Sequence, residues 1–178
     1  MNQPTDYIEK YEKNGKTFFI VADETPCDPR TEWDNLWNFV SNYRHYSLSE
    51  GDLALSQLMG EKTRAKLEKD YVVVPVYMYI HSGVALSLQD FNDPWDSGIG
   101  FMAYISKAKL REEYNTKRVT KSVLDRAMSA LKAEVEIFGA YLNGDVYGCI
   151  VYDENGEYKE SCFGFYEMKY AKEFVDEY

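Results

Sequence analysis

Asp34, His81, Asp96 and Asp145 sit at loop positions beside tight turns, and their types suit holding a divalent cation through hard oxygen ligands to support hydrolysis. This set defines one functional reading, a metal-dependent hydrolase or nuclease. The competing reading is structural, because an aspartate at a turn bonds nearby backbone amides and a turn histidine bonds a backbone carbonyl. Asp28, Arg30, Asp52 and Asp93 belong to the same class of loop polar residues. Spacing along the chain does not bring the four together, so no catalytic residue, metal or cofactor is assigned from the sequence.

The fingerprints of common chemistries are missing. Gly98-Ile99-Gly100 lacks the third glycine, the lysine and the strand-to-helix context of a phosphate-binding loop. There is no serine elbow and no HExxH helix, and a total of 2 histidines argues against multi-histidine metal chemistry. These absences weigh against the ordinary cofactor enzymes.

Carboxylates offer a second kind of chemistry. Acidic side chains outnumber basic ones by 30 to 20, for a formal charge of −10, so the mean field repels phosphate backbones and anionic membranes. The plain reading of such a surplus is solubility; the sharper one is a partner that is neither nucleic acid nor membrane but a basic protein surface, such as one built to hold nucleic acid. Candidate contact residues are the acidic pairs Glu112 with Glu113, Glu134 with Glu136, Asp153 with Glu154, and Glu157 with Glu160. Each pair is an ordinary solvated face unless several line up in space. The loop Trp95, Asp96, Ser97 and Gly98 is a further candidate, with its proline and glycine fixing the loop and Trp95 anchoring it. Trp33, Trp37 and Trp95 are all expected in the core or at its edge.

These groups must be positioned by the following elements. Lys16 to Ala22 is β-branched and aromatic, follows the turn signal Asn14-Gly15, and reads as a first strand. Trp33, Leu36, Trp37 and Val40 fall at helical spacing, which predicts a short helix over 31–40. Ser49 to Asp70 reads as two helices, with Ser49 as N-cap and Gly60 as the break. Tyr71 to Ile80, a turn at 81–83 and Val84 to Leu88 read as strand, turn and strand, with Pro75 at an edge or a bulge. Ile99 to Ile105 reads as a strand and Ser106 opens a short helix. The stripe Val123, Leu124, Ala127, Leu131, Val135, Phe138 and Leu142 marks a long amphipathic helix over about 120–142, ended by Asn143-Gly144. Asp145 to Tyr152 and Glu157 to Tyr166 form a hairpin around a two-residue Asn155-Gly156 turn, which sets Cys149 across from Cys162. A terminal helix covers 167–178.

Strands and helices without regular alternation predict an α+β fold, a mostly antiparallel sheet with the long helix and shorter helices packed on it. The 178 residues are read as one domain, residues 1–178, large enough to bury roughly 70% of the unfolded chain's surface. The 3 cysteines are too few and scattered for a secreted disulfide framework, no apolar run reaches a membrane-spanning length, and Met1 to Lys10 is polar. The expected location is the cytoplasm. Oligomeric state is not legible.

Several strings share their order and spacing with one family. They are Asp28-Pro29-Arg30 before Trp33-Asp34-Asn35-Leu36, His81-Ser82-Gly83, Pro94-Trp95-Asp96-Ser97-Gly98 with Gly100-Phe101, Tyr141 to Gly148, and Ser161-Cys162-Phe163-Gly164-Phe165-Tyr166. Over roughly Pro29 to Tyr166 the chain resembles a family of small acidic proteins carried by bacteriophages and integrative or conjugative elements. The tryptophan loop and the Gly-Asp-Val-Tyr-Gly string are the most specific parts. The sequence departs from that pattern at an extra Thr31 and along Asn42 to Tyr46. The resemblance carries over no catalytic residue. Its setting implies an accessory protein with anti-CRISPR or anti-restriction activity, disabling a host nuclease or effector complex by presenting carboxylates where phosphates are expected. It also leaves open a non-enzymatic adaptor in phage DNA metabolism.

Overall fold

The computed structural model describes residues 3–41, 43 and 46–178. Met1, Asn2, Asn42, Arg44 and His45 lie outside the described residues, and with them most of the departure at Asn42 to Tyr46 and the start of the polar N-terminal stretch. In chain order the elements are β1 (Glu9–Lys13), β2 (Lys16–Ala22), β3 (Asn38–Ser41), β4 (Leu48–Ser49), α1 (Leu55–Met59), α2 (Glu61–Leu67) and β5 (Tyr71–Ile80). They continue as β6 (Val84–Ser87), β7 (Ser97–Ser106), α3 (Lys107–Glu113), α4 (Lys121–Asn143), β8 (Val146–Tyr152), β9 (Tyr158–Tyr166) and α5 (Met168–Glu177). The fold is α+β with antiparallel pairing. Where the sequence suggests one sheet there are two, and the contacts group into two compact units, 1–33 with 140–178, and 34–139.

The first unit is a four-stranded sheet in the order β1-β2-β8-β9. Its opening hairpin turns at Asn14-Gly15, both at positive φ, as the favoured two-residue turn requires. β1 was not foreseen, because Glu9-Lys10-Tyr11-Glu12-Lys13 is a charged edge strand with little apolar signal. Strand alternation puts Phe18, Cys149 and Val151 on one face, where they pack with Val175 of α5. Lys13 Nζ donates to the carbonyls of Val175 and Asp176, satisfying acceptors that the helix end leaves open.

The β8–β9 hairpin differs from its sequence reading. Its loop is five residues, 153–157, because the Asp153 carboxylate accepts the amides of Asn155 and Glu157 while Gly156 N–H donates to the Asp153 carbonyl. A bulge between Val151 and Tyr152 then restores the register, and Cys149 still lies directly across from Cys162.

The second unit is a five-stranded sheet in the order β4-β3-β7-β5-β6. The short helix expected over 31–40 is absent. Its second half is instead β3, paired with β7, so tertiary pairing overrides the helical spacing. Ser49 lies in β4 rather than capping a helix, and α1 and α2 meet at Gly60. Pro75 falls one residue before the bulge at Val76/Tyr77, beyond the stretch where β6 pairs, so no ladder bond is missed. One sheet face carries Val40, Met102 and Tyr104 against Leu53 and Leu58. On the other, Phe39, Phe101 and Phe138 of α4 meet ring to ring, with centroids 5.2–6.1 Å apart. Trp37 is 1% exposed, and its indole N–H donates to the Ala127 carbonyl of α4 at 2.9 Å.

α4 ends as expected. Gly144 at φ 77° lets its N–H reach the Tyr141 carbonyl and the Asp145 N–H reach that of Ala140, closing a Schellman motif. Among the described residues no helix is long and apolar enough to cross a membrane.

Candidate functional site

The residues singled out by sequence divide between the two units. Asp145 belongs to the first, where it accepts from Asn143 Nδ2 and from the Tyr147 hydroxyl and so supports the turn after α4. Asp34, His81 and Asp96 belong to the second. His81 Nδ1 lies 3.2 Å from Asp96 Oδ2, and Asp34 is exposed in the loop before β3. Among the described residues no group of three or more His, Cys, Asp or Glu side chains is placed to hold a metal ion.

Trp95 does not anchor its loop. It is 91% exposed, and the loop is fixed instead by Asp93, whose carboxylate accepts the amides of Trp95 and Asp96 while its carbonyl takes the Ser97 hydroxyl. The amide of Asp96, then that of Trp95, holds the Asp93 carboxyl below its ordinary pKa. Trp95 borders a cleft of about 450 Å³ beside Met59, Ile80 and Ile99. Gly100 keeps that cleft's geometry, since a Cβ there would fall 2.7 Å from Met78.

The acidic candidates also sort by what they do. Glu134 is consumed inside the fold, its carboxylate accepting the amides of Leu36 and Trp37, so it is not a free contact group. Glu136 pairs with Lys132 one turn away. Asp153 holds the hairpin loop and pairs with Lys159 at 2.8 Å, which keeps its carboxyl below the usual range. Glu112 and Glu113 are exposed at the end of α3, while Glu154, Glu157 and Glu160 are exposed on the β8–β9 hairpin.

Charge is not shared evenly. The first unit holds 16 acidic and 7 basic side chains, a net of −9, whereas the second holds 14 and 13, a net of −1. Nearly the whole surplus therefore belongs to the smaller unit.

That unit also holds the larger cleft, about 800 Å³, at one end of its sheet. Val21, Gly148 and Phe163 lie in one cross-strand row, and the ring of Phe163 covers the glycine so closely that a Cβ on Gly148 would sit 2.3 Å from it. Phe163 thereby stays beside Val21 at the cleft. Next to it β9 bulges, and Gly164 at φ 82° leaves the ladder to donate its N–H to Asp23. Asp23 also accepts from Thr25 N–H, so both carboxylate oxygens are held by backbone.

Trp33 stands edge-on to Tyr166 with centroids 5.0 Å apart. The Tyr166 hydroxyl donates to the Cys27 carbonyl, and burial pushes its pKa up to about 12, so it stays a donor at neutral pH. Tyr7, Ile8, Trp33 and Phe163 are 42–49% exposed, and all four line this cleft. Asp6 and Glu24 complete its acidic border.

None of this was read from the sequence, because the lining comes from four separated segments. The signals near it were Trp33, the string Ser161 to Tyr166, which supplies Phe163, Gly164 and Tyr166, and the Gly-Asp-Val-Tyr-Gly string with Gly148 beside them; nothing in the sequence joined them into a cleft. Compared with known protein families, curated proteins and solved structures, the chain matches none.

The cysteines give a direct test of the first unit. All 3 are free thiols, with Cys27 and Cys162 exposed and Cys149 buried. Burial pushes the Cys149 thiol up to about 11, so at pH 8 only about one molecule in a thousand carries its thiolate. Iodoacetamide at pH 8 is expected to add two groups to the native chain and a third only after denaturant, as read by intact mass. Rapid triple labelling of the native protein would contradict the packing of Cys149 against Phe18 and Val151.

Proposed function

We propose that the chain is a non-enzymatic inhibitor that presents carboxylates to the basic surface of a nucleic-acid-binding enzyme and excludes its proper ligand. The observation that carries this reading is the segregation of charge, a net of −9 on one compact unit against −1 on the other. A polyanion mimic needs its charges on a firm scaffold, and Glu154, Glu157 and Glu160 stand exposed on a paired hairpin. The likeness to proteins of phages and conjugative elements supplies the setting: a host restriction or CRISPR effector in the cytoplasm is the target class.

The test is an inhibition assay against Cas and restriction effectors at rising salt. Inhibition is expected to weaken steeply between about 0.05 and 0.5 M salt, since exposed charge pairs are screened over this range. A triple variant Glu154→Lys, Glu157→Lys, Glu160→Lys is expected to raise the inhibitor concentration needed at least tenfold while leaving the melting temperature nearly unchanged. Absence of inhibition across both effector classes would rule this function out.

A further inference from the structure

The larger cleft combines two features that different ligands would need separately. Tyr7, Trp33 and Phe163 leave aromatic surface uncovered in it, and Asp6, Asp23 and Glu24 bring carboxylates, while among the described residues no lysine or arginine lines it. A neutral apolar ligand has no use for the carboxylates. A bare metal ion has no use for the rings. A guanidinium uses both, because its planar face stacks on an aromatic ring while its N–H fork meets a carboxylate.

We propose that this cleft receives an arginine side chain carried on an exposed segment of the basic partner, an assignment that rests on the functional reading above. Asp23 is oriented before any ligand arrives, since Thr25 N–H and Gly164 N–H each hold one of its oxygens at 3.2 Å and leave further lone-pair capacity. Asp6 and Glu24 make no ion pair or side-chain hydrogen bond among the described residues, so their charge is unspent. At about 800 Å³ the space exceeds one guanidinium and takes the flanking peptide as well. Lysine fits less well, because an ammonium is a compact, strongly hydrated point charge that neither forks nor stacks.

The probe is acetyl-Gly-Arg-Gly-amide, titrated into the full chain to millimolar concentration, with citrulline and lysine congeners alongside. The readout is the indole N–H resonance of Trp33. Trp95, more exposed and in the other unit, is an internal control for indiscriminate stacking. The Trp33 signal is expected to shift saturably with the arginine peptide while that of Trp95 stays put. The neutral citrulline congener should bind at least tenfold more weakly and the lysine congener at least threefold more weakly. Phe163→Ala and Asp23→Asn should each weaken arginine binding at least fivefold, with melting curves showing that both variants remain folded.

A static Trp33 signal, an equal response to citrulline, or an equal movement of Trp95 overturns the assignment. Inhibition of an effector that is indifferent to Phe163→Ala and Asp23→Asn also overturns it, yet leaves the functional reading in place. Saturable, citrulline-sensitive arginine binding by a chain that inhibits no effector upholds the cleft and removes that reading.

Discussion

Trp37→Ala is expected to cost the 34–139 unit about 3–5 kcal/mol, the usual range for removing a large aromatic side chain from a core. Trp37 is 1% exposed, and its indole N–H ties the start of β3 to the Ala127 carbonyl of α4. The substitution opens a cavity and deletes that tie together. Against a total stability of about 5–15 kcal/mol, such a loss leaves little in reserve. Trp37→Phe keeps most of the volume and loses the hydrogen bond, so its cost should be smaller, about 1–2 kcal/mol. Urea unfolding measures both, and hydrogen exchange localises them, with β7 amides such as that of Ala103 expected to lose protection. Equal costs for the two variants would mean that volume contributes nothing at this position.

Gly51→Ala should rank second, at about 3 kcal/mol. Gly51 has φ 68°, which a Cβ disfavours, and that Cβ would lie 2.2 Å from the Tyr104 hydroxyl and 3.0 Å from Asn38. The hydroxyl has no slack. It donates to the Glu50 carbonyl at 2.8 Å and accepts the Leu53 amide at 3.0 Å, in a side chain only 1% exposed. Tyr104→Phe alone strands those two backbone groups and should cost about 1–3 kcal/mol. Because removing the hydroxyl also removes the clash, the double variant is expected to be more stable than the sum of the single losses predicts. Strict additivity in urea unfolding would show that the hydroxyl and the glycine are not coupled.

Elements with strong local signals were legible in the sequence. Lys16 to Ala22, Tyr71 to Ile80 and the stripe from Val123 to Leu142 carry their period or their β-branching on their own face, and each forms as read. β3 was not legible, because Trp33, Leu36, Trp37 and Val40 match a helical period over a window too short to exclude a loop followed by a strand. Its identity depends on β7, some sixty residues later, which spacing cannot reveal. The same limit hid the second sheet, since strand partners are set by long-range pairing.

The candidate site was less legible still. Trp33 and Phe163 stand in two of the strings quoted for the resemblance and Asp23 in none, and only the fold brings the three to one cleft. The acidic pairs were visible, but their roles were not: Glu134 looks like a surface charge until the amides of Leu36 and Trp37 are found on it. Charge segregation is invisible until the chain is divided by contact rather than by order.

The pairing of Phe19 with Ile150 has a consequence for how the polypeptide is made. On the ribosome, β1 and β2 emerge well before their partner strand β8, and a hairpin alone is at best marginally stable in water. Their partner strand is translated only after all of 34–139, a stretch holding every strand of its own sheet. The inserted segment can therefore fold while the hairpin waits. Completion of the acidic sheet is then the late, high-contact-order step, and during that delay the exposed edge of β2 is where nascent chains would associate wrongly.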